Sequence, residues 1–387
     1  MSSVDRKIVV VGGGLVGTAA AVALAQTGCS VTLIDAGVPA TADQAWDSRI
    51  YAISPGNAGY LAQIGVWARL DPARVQAVEA MRIEGDMPGH ALRYDAYDCG
   101  LRELAFILES RNLQGALDQA AVAAGIEVRR PASVSAMELA ATVKLTLSDG
   151  EPVEADLLVG ADGGESWVRQ AAGLGVEAQR YLQDGVVANF AVSLPHRGTA
   201  YQWFRDDGVL ALLPMPGDRV SMVWSAQSPL AGELLTLPPE TLCERVFTAS
   251  HGVVGALELI AAAAAFPLRC ARAAHIVAPR VALVGDAAHG VHPLAGQGVN
   301  LGFRDVRALA RILSTRPPRQ SPGESALLRR YERARREDIA TMTFATDGLQ
   351  KLFSSRQVWL KRSRNAGLDI VNALPFLKKS LVRHAVA

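Results

Sequence analysis

The chain has 387 residues, a formal charge of +1 and 50% hydrophobic residues. This length exceeds what one hydrophobic core supports, so we expect two domains. The composition excludes a disordered or fibrous chain, and the near-zero charge gives no basic field for nucleic acid. The four cysteines form no CxxC pair and no cluster with histidine, which predicts neither a disulfide framework nor a metal site and is typical of the cytosol.

The first 35 residues predict a strand–helix–strand unit. Strands are expected at Lys7–Val11 and Ser30–Ile34, with a helix of small residues at Thr18–Gln26 between them. A secretion signal is an alternative, because Ile8–Ala25 carries no charge and follows a basic start. The glycines inside this stretch would interrupt an insertion helix, so we favour the folded unit.

A glycine-rich turn joins the first strand to the helix. Gly12, Gly14 and Gly17 fit the pattern G-x-G-x-x-G, and Asp35 ends the second strand near the expected separation of about 20 residues. The first glycine permits the tight turn, the second lets the backbone approach a pyrophosphate, and the third allows close packing of helix and strand. The acid would accept hydrogen bonds from ribose. The motif predicts a cofactor with an ADP moiety and leaves NAD and FAD open.

Two more loops follow predicted strands further along the chain. The strand Asp156–Val159 leads into the segment GADGGESWVR at 160–169, which by itself suits a turn capped by Asp162. The strand Val281–Val284 leads into GDAAH at 285–289 and HPLAGQGVNL at 292–301. Segments with so many residues in a fixed order are more specific evidence than the glycine-rich turn alone.

These segments together resemble the aromatic-ring flavin hydroxylases related to para-hydroxybenzoate hydroxylase. The segments DSRIYAI at 47–53 and GYLAQIGVW at 59–67 narrow the resemblance to the FAD-dependent hydroxylases of ubiquinone biosynthesis. Two segments near the end, GLQKLF at 348–353 and RNAGL at 364–368, extend it over nearly the whole chain. One departure is visible, since the family commonly has Glu where this sequence has Asp35.

The resemblance implies how the loops hold FAD. Asp162 is expected to order its loop, Asp286 to bind the ribityl hydroxyls, Pro293 to pack against the flavin, and Arg49 to reach a phosphate. The backbone of residues 296–300 is expected to face the pyrimidine edge of the ring, where donors suit the negative charge of reduced flavin. The predicted FAD-binding residues are Gly12, Gly14, Gly17, Asp35, Arg49, Arg111, Asp162, Asp286, Pro293, Gly296, Gly298, Val299 and Asn300.

The predicted fold class is α/β, with a parallel Rossmann-like sheet, a mainly antiparallel substrate sheet and a C-terminal helical region. Strands of the second sheet are expected at Val186–Ser193, Tyr201–Phe204, Val209–Leu213 and Val220–Ser225. For the large apolar residues around them we favour core packing over substrate contact: Trp203, Phe204, Met215, Met222 and Trp224. The predicted domains are a discontinuous FAD-binding domain (1–75, 96–180 and 269–320), a substrate domain (76–95 and 181–268) and a helical region (321–387).

The resemblance also implies the reaction and the substrate. NAD(P)H would reduce FAD, dioxygen would form a flavin C4a-hydroperoxide, and one oxygen atom would pass to a phenol carrying a polyprenyl chain. No metal is needed, and for His289 and His292 we favour loop ordering over proton transfer. No catalytic base is identified. The alternatives are a non-catalytic flavoprotein subunit of a quinone-synthesis complex and another FAD oxidoreductase, such as a halogenase or a dehydrogenase.

The last 37 residues carry a strong local charge. Residues 351–387 contain eight Lys and Arg side chains against the single acid Asp369, with apolar residues interleaved. This pattern is typical of a helix on anionic lipid or against a partner protein, and a solvated terminal helix is an equal alternative. We therefore expect a cytoplasmic protein, and contact of its basic end with the inner membrane surface or with a quinone-synthesis complex is one of these two alternatives.

Overall fold

A computed structural model describes residues 6–38, 45–85, 90–290 and 297–354. Its α-helices are α1 (Leu15–Ala25), α2 (Pro55–Gln63), α3 (Ser110–Ala123), α4 (Trp167–Ala171), α5 (Ser228–Thr236), α6 (Pro239–Ala249), α7 (Gln297–Ser314) and α8 (Ser325–Ser354). Its strands are β1 (Lys7–Val11), β2 (Ser30–Ile34), β3 (Ile50–Ile53), β4 (Val75–Val78), β5 (Ala80–Glu84), β6 (Ala91–Asp95), β7 (Ala105–Glu109), β8 (Glu127–Arg129), β9 (Val134–Leu139), β10 (Val143–Leu147), β11 (Pro152–Ala155), β12 (Leu157–Gly160), β13 (Val176–Val192), β14 (Thr199–Arg205), β15 (Gly208–Met215), β16 (Arg219–Gln227), β17 (Leu257–Ala273), β18 (Val277–Ala278), β19 (Val281–Leu283) and β20 (His289–Gly290).

A six-stranded sheet in the order β18-β19-β12-β1-β2-β8 carries the loops that are predicted to bind the nucleotide. We call the half of the molecule around this sheet the nucleotide side. All neighbours from β19 to β8 run parallel, and only β18 is antiparallel to its neighbour. The central strands β1, β12 and β19 are apolar and buried, as expected for strands of a parallel sheet that is covered on both faces, whereas the edge strand β8 is polar and largely exposed. Helix α1 packs against α3 and α7 through a nearly continuous run of buried small residues. The predicted first unit is confirmed, including the stretch weighed as a secretion signal, although α1 begins three residues earlier than expected.

A larger sheet of eight strands forms the other side, in the order β20-β17-β13-β16-β15-β14-β5-β6. Every neighbouring pair in it is antiparallel except β14 and β5. The four strands predicted between residues 186 and 225 correspond to β13, β14, β15 and β16, except that β13 ends one residue before Ser193, and the mainly antiparallel sheet is confirmed. Because side chains alternate along a strand, this sheet has two distinct faces.

One face of the eight-stranded sheet is covered by α5 and α6. Val186, Phe190, Met222 and Trp224 lie on it, fully buried against apolar residues of the two helices. The opposite face lies towards the nucleotide side, where Leu213 packs against the small sheet β3-β7-β4. The eight-stranded sheet therefore separates a sealed core from a face that can border a ligand.

The chain order of the two large sheets is interleaved. Strands β5 and β6 join the sheet built mainly from residues 176–273, as the predicted substrate domain would require. The end of β17 and the short β20 also join it, although the predicted domain boundaries place them with FAD. The domain boundaries stay a prediction.

Helix α8 is the last element that the structure describes. Within the ranges given above, no helix combines the length and the apolar character needed to cross a membrane. The predicted sites Pro293 and Gly296, together with His292 and the basic segment from residue 355, fall outside the described residues.

Candidate functional site

Three loops begin side by side at one edge of the parallel sheet. They follow β1, β12 and β19, which are neighbours in the sheet, so their carboxyl ends meet. The backbone N–H of Ala161 donates to Val11 at 2.8 Å, and that of Val284 donates to Gly160 at 2.9 Å. The three motifs that were far apart in sequence therefore lie together in the fold.

The glycines of the first loop have different reasons to be glycine. A Cβ atom on Gly12 would lie 2.3 Å from the carbonyl oxygen of Ala161, and its φ is +104°. A Cβ atom on Gly17 would lie 1.9 Å from the carbonyl oxygen of Gly12. Gly14 has an ordinary φ of −72°, and no atom lies within 4 Å of where its Cβ would be. The protein's own packing explains Gly12 and Gly17, whereas Gly14 leaves open space at the start of α1 that fits a pyrophosphate.

Asp162 orders the second loop through two hydrogen bonds. Its Oδ1 accepts from the hydroxyl of Ser166 at 2.5 Å, and its Oδ2 accepts from the backbone N–H of Val168 at 3.0 Å. Ser166 in turn caps α4 by accepting from the N–H of Arg169 at 2.9 Å. The capped-turn interpretation and the loop-ordering interpretation thus describe the same contacts.

Arg169 fastens the second loop to the third, a role that the sequence did not indicate. Its guanidinium is buried and donates to the carbonyl of Gly164 at 2.7 Å and to that of Ala287 at 2.9 Å. Both acceptors are backbone atoms, and one lies 118 residues away. Arg169 ends the segment GADGGESWVR, but the sequence does not show that its partners are backbone carbonyl groups.

Asp286 lies in the third loop with its side chain open to a cleft. Protein atoms surround it on the other sides, and this burial raises the pKa of Asp286, with a smaller contribution from nearby Asp305, while His289 acts in the opposite direction. A Cβ atom on Gly298 would lie 4.0 Å from Oδ1 of Asp286, so the first turn of α7 borders the same space. Among the described residues, no side chain or backbone N–H donates a hydrogen bond to this carboxylate, and hydroxyl groups of a ligand would supply such donors.

A buried charged network supports this loop from behind. The imidazole Nε2 of His289 and the backbone N–H of Gly285 both contact Oδ2 of Asp305, at 2.6 and 2.9 Å. Oδ1 of Asp305 accepts from Nε of Arg335 on α8 at 2.6 Å. Burial alone would raise the pKa of Asp305, but His289 and Arg335 lower it below its usual value. These contacts favour loop ordering for His289, and no group of three potential metal ligands occurs in the described parts of the chain.

Asp47, which we did not predict, is the centre of the loop that carries Arg49. Its carboxylate accepts from the backbone N–H groups of Arg49 and Arg111, at 3.0 and 3.1 Å. Its carbonyl accepts from the side-chain amide of Asn189 on β13 at 2.8 Å. The exposed guanidinium of Arg49 lies 4.6 Å from the ring centroid of Phe266 on β17. The loop therefore joins the nucleotide side to the open face of the eight-stranded sheet.

Asn300 and Val299 lie in the first turn of α7, and both are buried. Oδ1 of Asn300 accepts from the N–H of Ser54 and from the amide of Asn57, each at 2.9 Å, and its own amide donates to Ala52 at 2.7 Å. The side chain is thus committed to holding the segment after β3. Only backbone groups of this turn remain for the predicted contact with a flavin.

Asp35 lies at the end of β2 beside Arg130, a third residue whose role we did not predict. The guanidinium Nε of Arg130 is 2.8 Å from Oδ2 of Asp35, and its Nη2 donates to the carbonyl of Gly13 at 2.9 Å. The parallel register of β2 and β8 opposes Ile34 to Arg129, which brings the next residues of both strands together. The sheet order, which the sequence does not state, creates this pair.

Comparisons with known proteins agree with this geometry. The family described as FAD binding domain matches residues 5–346. The chain is 36% identical over 383 residues to ubiquinone hydroxylase UbiL of Rhodospirillum rubrum, covering 98% of this chain and 89% of that protein. It is 35% identical over 394 residues to 3-demethoxyubiquinol 3-hydroxylase of Escherichia coli, over the full length of both. The crystal structure of p-nitrophenol 4-monooxygenase PnpA from Pseudomonas putida shares the fold, with a TM-score of 0.79, 17% identity and coverage of 99% and 98%.

The loops after β1, β12 and β19, which carry Gly14, Asp162 and Asp286, together form what we call the three-loop cradle. This cradle, the two-sheet fold and these matches define an FAD-dependent aromatic-ring monooxygenase. The predicted fold class, cofactor and enzyme class are confirmed. Within this class, the chain belongs to the ubiquinone-biosynthesis hydroxylase family that its motifs resembled.

Proposed function

We propose that this protein hydroxylates the aromatic ring of a polyprenylated phenol on the route to ubiquinone, using FAD, NAD(P)H and dioxygen. The observation that carries the proposal is the cradle of three loops facing the open side of a large sheet. In this cradle Gly14 leaves space, and Asp286 has no hydrogen-bond donor among the residues that the structure describes. The relatives named as ubiquinone hydroxylases support the substrate class.

The residues of the cradle would hold FAD as follows. The open start of α1 at Gly14 would take the pyrophosphate, Asp35 the adenosine ribose, and Arg49 a phosphate oxygen. Asp286 would accept from the ribityl hydroxyls, which would offset the desolvation that raises its pKa. The backbone of residues 298–300 would face the pyrimidine edge of the ring. Bound FAD, reduced by NAD(P)H, supplies the activation of dioxygen and the transfer of one oxygen atom.

The remaining predicted contacts are retained within the same proposal. Arg111, whose backbone N–H donates to Asp47 in the loop that carries Arg49, would contact FAD. Pro293 and Gly296 would border the ring, as the family resemblance implies. No residue is proposed as the catalytic base.

The open face of the eight-stranded sheet would form the floor of the substrate site. Val187 and Val223 oppose each other on β13 and β16 and are only partly buried. Asn189 and Ser221 form the next pair on this open face, along the same two strands. Oδ1 of Asn189 and Oγ of Ser221 are buried and have no hydrogen-bond partner among the described residues. An apolar floor that ends in uncommitted polar groups suits a phenol, and it would also exclude water.

The five large apolar residues considered in the sequence are buried, as expected for core packing. Met222 and Trp224 lie on the face sealed by α5 and α6, so they cannot border the cleft without unfolding that core. Substrate contact is therefore proposed for the residues that alternate with them. The complete set of five buried residues is Trp203, Phe204, Met215, Met222 and Trp224.

A polyprenyl tail would keep the substrate in a membrane, so the enzyme needs a route to the lipid surface. We propose that the basic segment 351–387 lies on anionic lipid or on a partner protein of a quinone-synthesis complex. Removing the residues after Gly367 should weaken binding to anionic vesicles. Equal binding of the shortened and full-length proteins would argue against lipid contact by this segment.

The proposed reaction is tested with the purified, FAD-loaded protein. NADH or NADPH is added with candidate phenols, oxygen uptake is followed, and the product is examined by mass spectrometry. We expect oxygen uptake that depends on the phenol and a product heavier by one oxygen atom. Bound flavin that stays inert with every phenol would favour a non-catalytic subunit, and a halogenated or dehydrogenated product would favour another FAD oxidoreductase.

Mass analysis of quinone intermediates in cells lacking the gene would identify the substrate. A precursor that accumulates without one ring oxygen would name both the substrate and the position attacked. Normal ubiquinone in such cells would contradict the proposed place in ubiquinone synthesis.

A further inference from the structure

A groove between α7 and α8 is lined by seven residues, of which four are arginine. Arg304, Arg307 and Arg311 follow one stripe of α7, at the spacing that places side chains on one face of a helix. Arg335 and Asp338 face them from α8, and the groove has a volume of about 340 Å³. The three-loop cradle does not include any of these residues, so the groove is a separate site.

The charges that line this arginine groove do not balance. Four guanidinium groups face one carboxylate, which leaves a net charge of +3. Arg335 is committed to Asp305 behind the groove and to Asp338 at 2.6 Å. Arg307 and Arg311 are exposed, and no acidic side chain in the described parts of the chain pairs with either. A positive concave surface of this kind concentrates anions.

Arg304 adds uncommitted hydrogen-bond donors to this charge. Its side chain is 7% exposed, and Nη1 donates to Oδ1 of Asp338 at 2.9 Å. Its Nε and Nη2 atoms are buried, and neither has a hydrogen-bond partner among the residues that the structure describes. Native proteins rarely leave buried guanidinium donors unpaired, so these atoms indicate a missing acceptor.

The form of the donors indicates what the acceptor is. A guanidinium presents N–H groups in a planar fork that matches two oxygens of one phosphate. Two further exposed arginines, Arg307 and Arg311, can each reach another oxygen or another charge of the same ligand. We propose that the arginine groove is a binding site for a phosphate group, provided by a ligand other than FAD.

The site also has a connection to the flavin loop. Arg335 reaches Asp305, whose carboxylate holds the backbone N–H of Gly285, the residue before Asp286. A ligand in the arginine groove therefore contacts the same network that supports the ribityl-binding loop. The proposal itself depends only on the groove and not on the hydroxylase reaction.

The test uses the full-length, FAD-loaded protein and two charge-matched variants. The groove variant, Arg307→Gln with Arg311→Gln, removes two exposed arginines four residues apart and leaves the buried network intact. The control variant, Arg329→Gln with Arg333→Gln, removes two exposed arginines at the same spacing from the far side of α8. Inorganic pyrophosphate is titrated by calorimetry while flavin absorbance is followed. Binding to vesicles of phosphatidylcholine with phosphatidylglycerol is compared with binding to phosphatidylcholine alone.

We expect the groove variant to lose at least about tenfold in affinity for pyrophosphate, for anionic vesicles or for both. The control variant should stay within about twofold of wild type, because isolated surface charges contribute little. A loss confined to pyrophosphate identifies a soluble phosphate as the ligand, and a loss confined to vesicles identifies a lipid head group. Equal binding by the groove and control variants, or pyrophosphate binding that only displaces FAD, would overturn the proposal.

Discussion

The two large sheets of this protein present ligands in opposite ways. The parallel sheet uses the ends of its strands, where loops after β1, β12 and β19 meet. The eight-stranded sheet uses one of its faces, and the other face is sealed by α5 and α6. At the strand ends the backbone itself approaches the ligand, whereas on the face only side chains do.

This difference decides what a sequence can reveal. A backbone that must approach a ligand closely needs glycine or a capping acid at fixed positions, which produces motifs. A sheet face needs only alternation, and polar residues such as Asn189 and Ser221 on one face are as typical of a solvated face as of a ligand site. The sequence thus located the cradle but could not say which face borders the substrate.

The largest expected effect separates two glycines of the first loop. Gly17→Ala places a Cβ atom 1.9 Å from the carbonyl oxygen of Gly12, so we expect the free energy of unfolding to fall by about 3 kcal/mol or more. Gly14→Ala meets no protein atom, so the FAD-free protein should lose no more than about 1 kcal/mol, the cost of alanine at the N-cap of α1. It should nevertheless bind FAD at least about tenfold more weakly, because the Cβ enters the pyrophosphate space.

Urea unfolding of the FAD-free variants and titration with FAD measure these two quantities. If Gly14→Ala destabilised the protein as much as Gly17→Ala, both glycines would serve the fold alone. The open space at Gly14 would then carry no argument for a cofactor.

The second prediction concerns the two faces of the eight-stranded sheet. Val187→Trp adds bulk on the open face, and we expect kcat/KM for the phenol to fall about a hundredfold while FAD stays bound. Trp224→Phe, on the sealed face, should lower stability by about 1 to 3 kcal/mol and leave KM unchanged. Steady-state kinetics and thermal unfolding distinguish the two outcomes. A reversed pattern would place the substrate on the other face.

The sequence predicted much of the fold and most of the loop residues that are expected to contact FAD. Gly12, Asp162 and Asp286 lie in loops that meet, because each follows a strand that pairs in parallel with its neighbour. The strand bounds Lys7–Val11 and Ser30–Ile34 are the observed ones, because short β-branched runs between turn residues have few alternatives.

The sequence did not reveal the residues that hold these loops in place. Arg169, Arg130 and Asp47 act through backbone carbonyls, backbone N–H groups or partners brought close by the sheet order. Arg169 and Asp47 lie in segments that carry the family resemblance, but their partners have no fixed spacing along the chain, so the sequence does not show what they contact. The arginine groove was missed for the same reason, because α7 and α8 each look like an ordinary charged helix by themselves.

The third prediction uses the pKa of Asp286, which is higher in the folded protein than its ordinary value of 3.8. A carboxyl group whose pKa is higher in the folded than in the unfolded protein gives up its proton more easily in the unfolded protein. It therefore lowers the free energy of unfolding at every pH above the pKa that it has in the unfolded protein. Asp286→Asn removes this penalty, so the FAD-free variant should be more stable than wild type at pH 7. The advantage should shrink as the pH falls and vanish below about pH 4.

The same substitution should weaken FAD binding by about tenfold, because an amide oxygen is a poorer acceptor for ribityl hydroxyls than a carboxylate. Thermal unfolding at a series of pH values and FAD titration measure the two effects. A variant that is less stable than wild type at pH 7 would show that Asp286 serves the fold rather than the ligand.

The smallest expected effect lies at the adenosine end of the cradle, where Arg130 holds Asp35. Arg130→Met keeps the length of the side chain but removes the 2.8 Å contact with the carboxylate and the donor to Gly13. Asp35 then turns more freely, and we expect FAD affinity to fall by about threefold to tenfold with kcat unchanged, since the ring end is untouched. Arg129→Met, one residue earlier and on exposed partners, is the matched control and should leave FAD affinity unchanged. If both variants bind FAD like wild type, Asp35 needs no orienting partner, and the shorter acid alone suffices at a position where relatives commonly carry Glu.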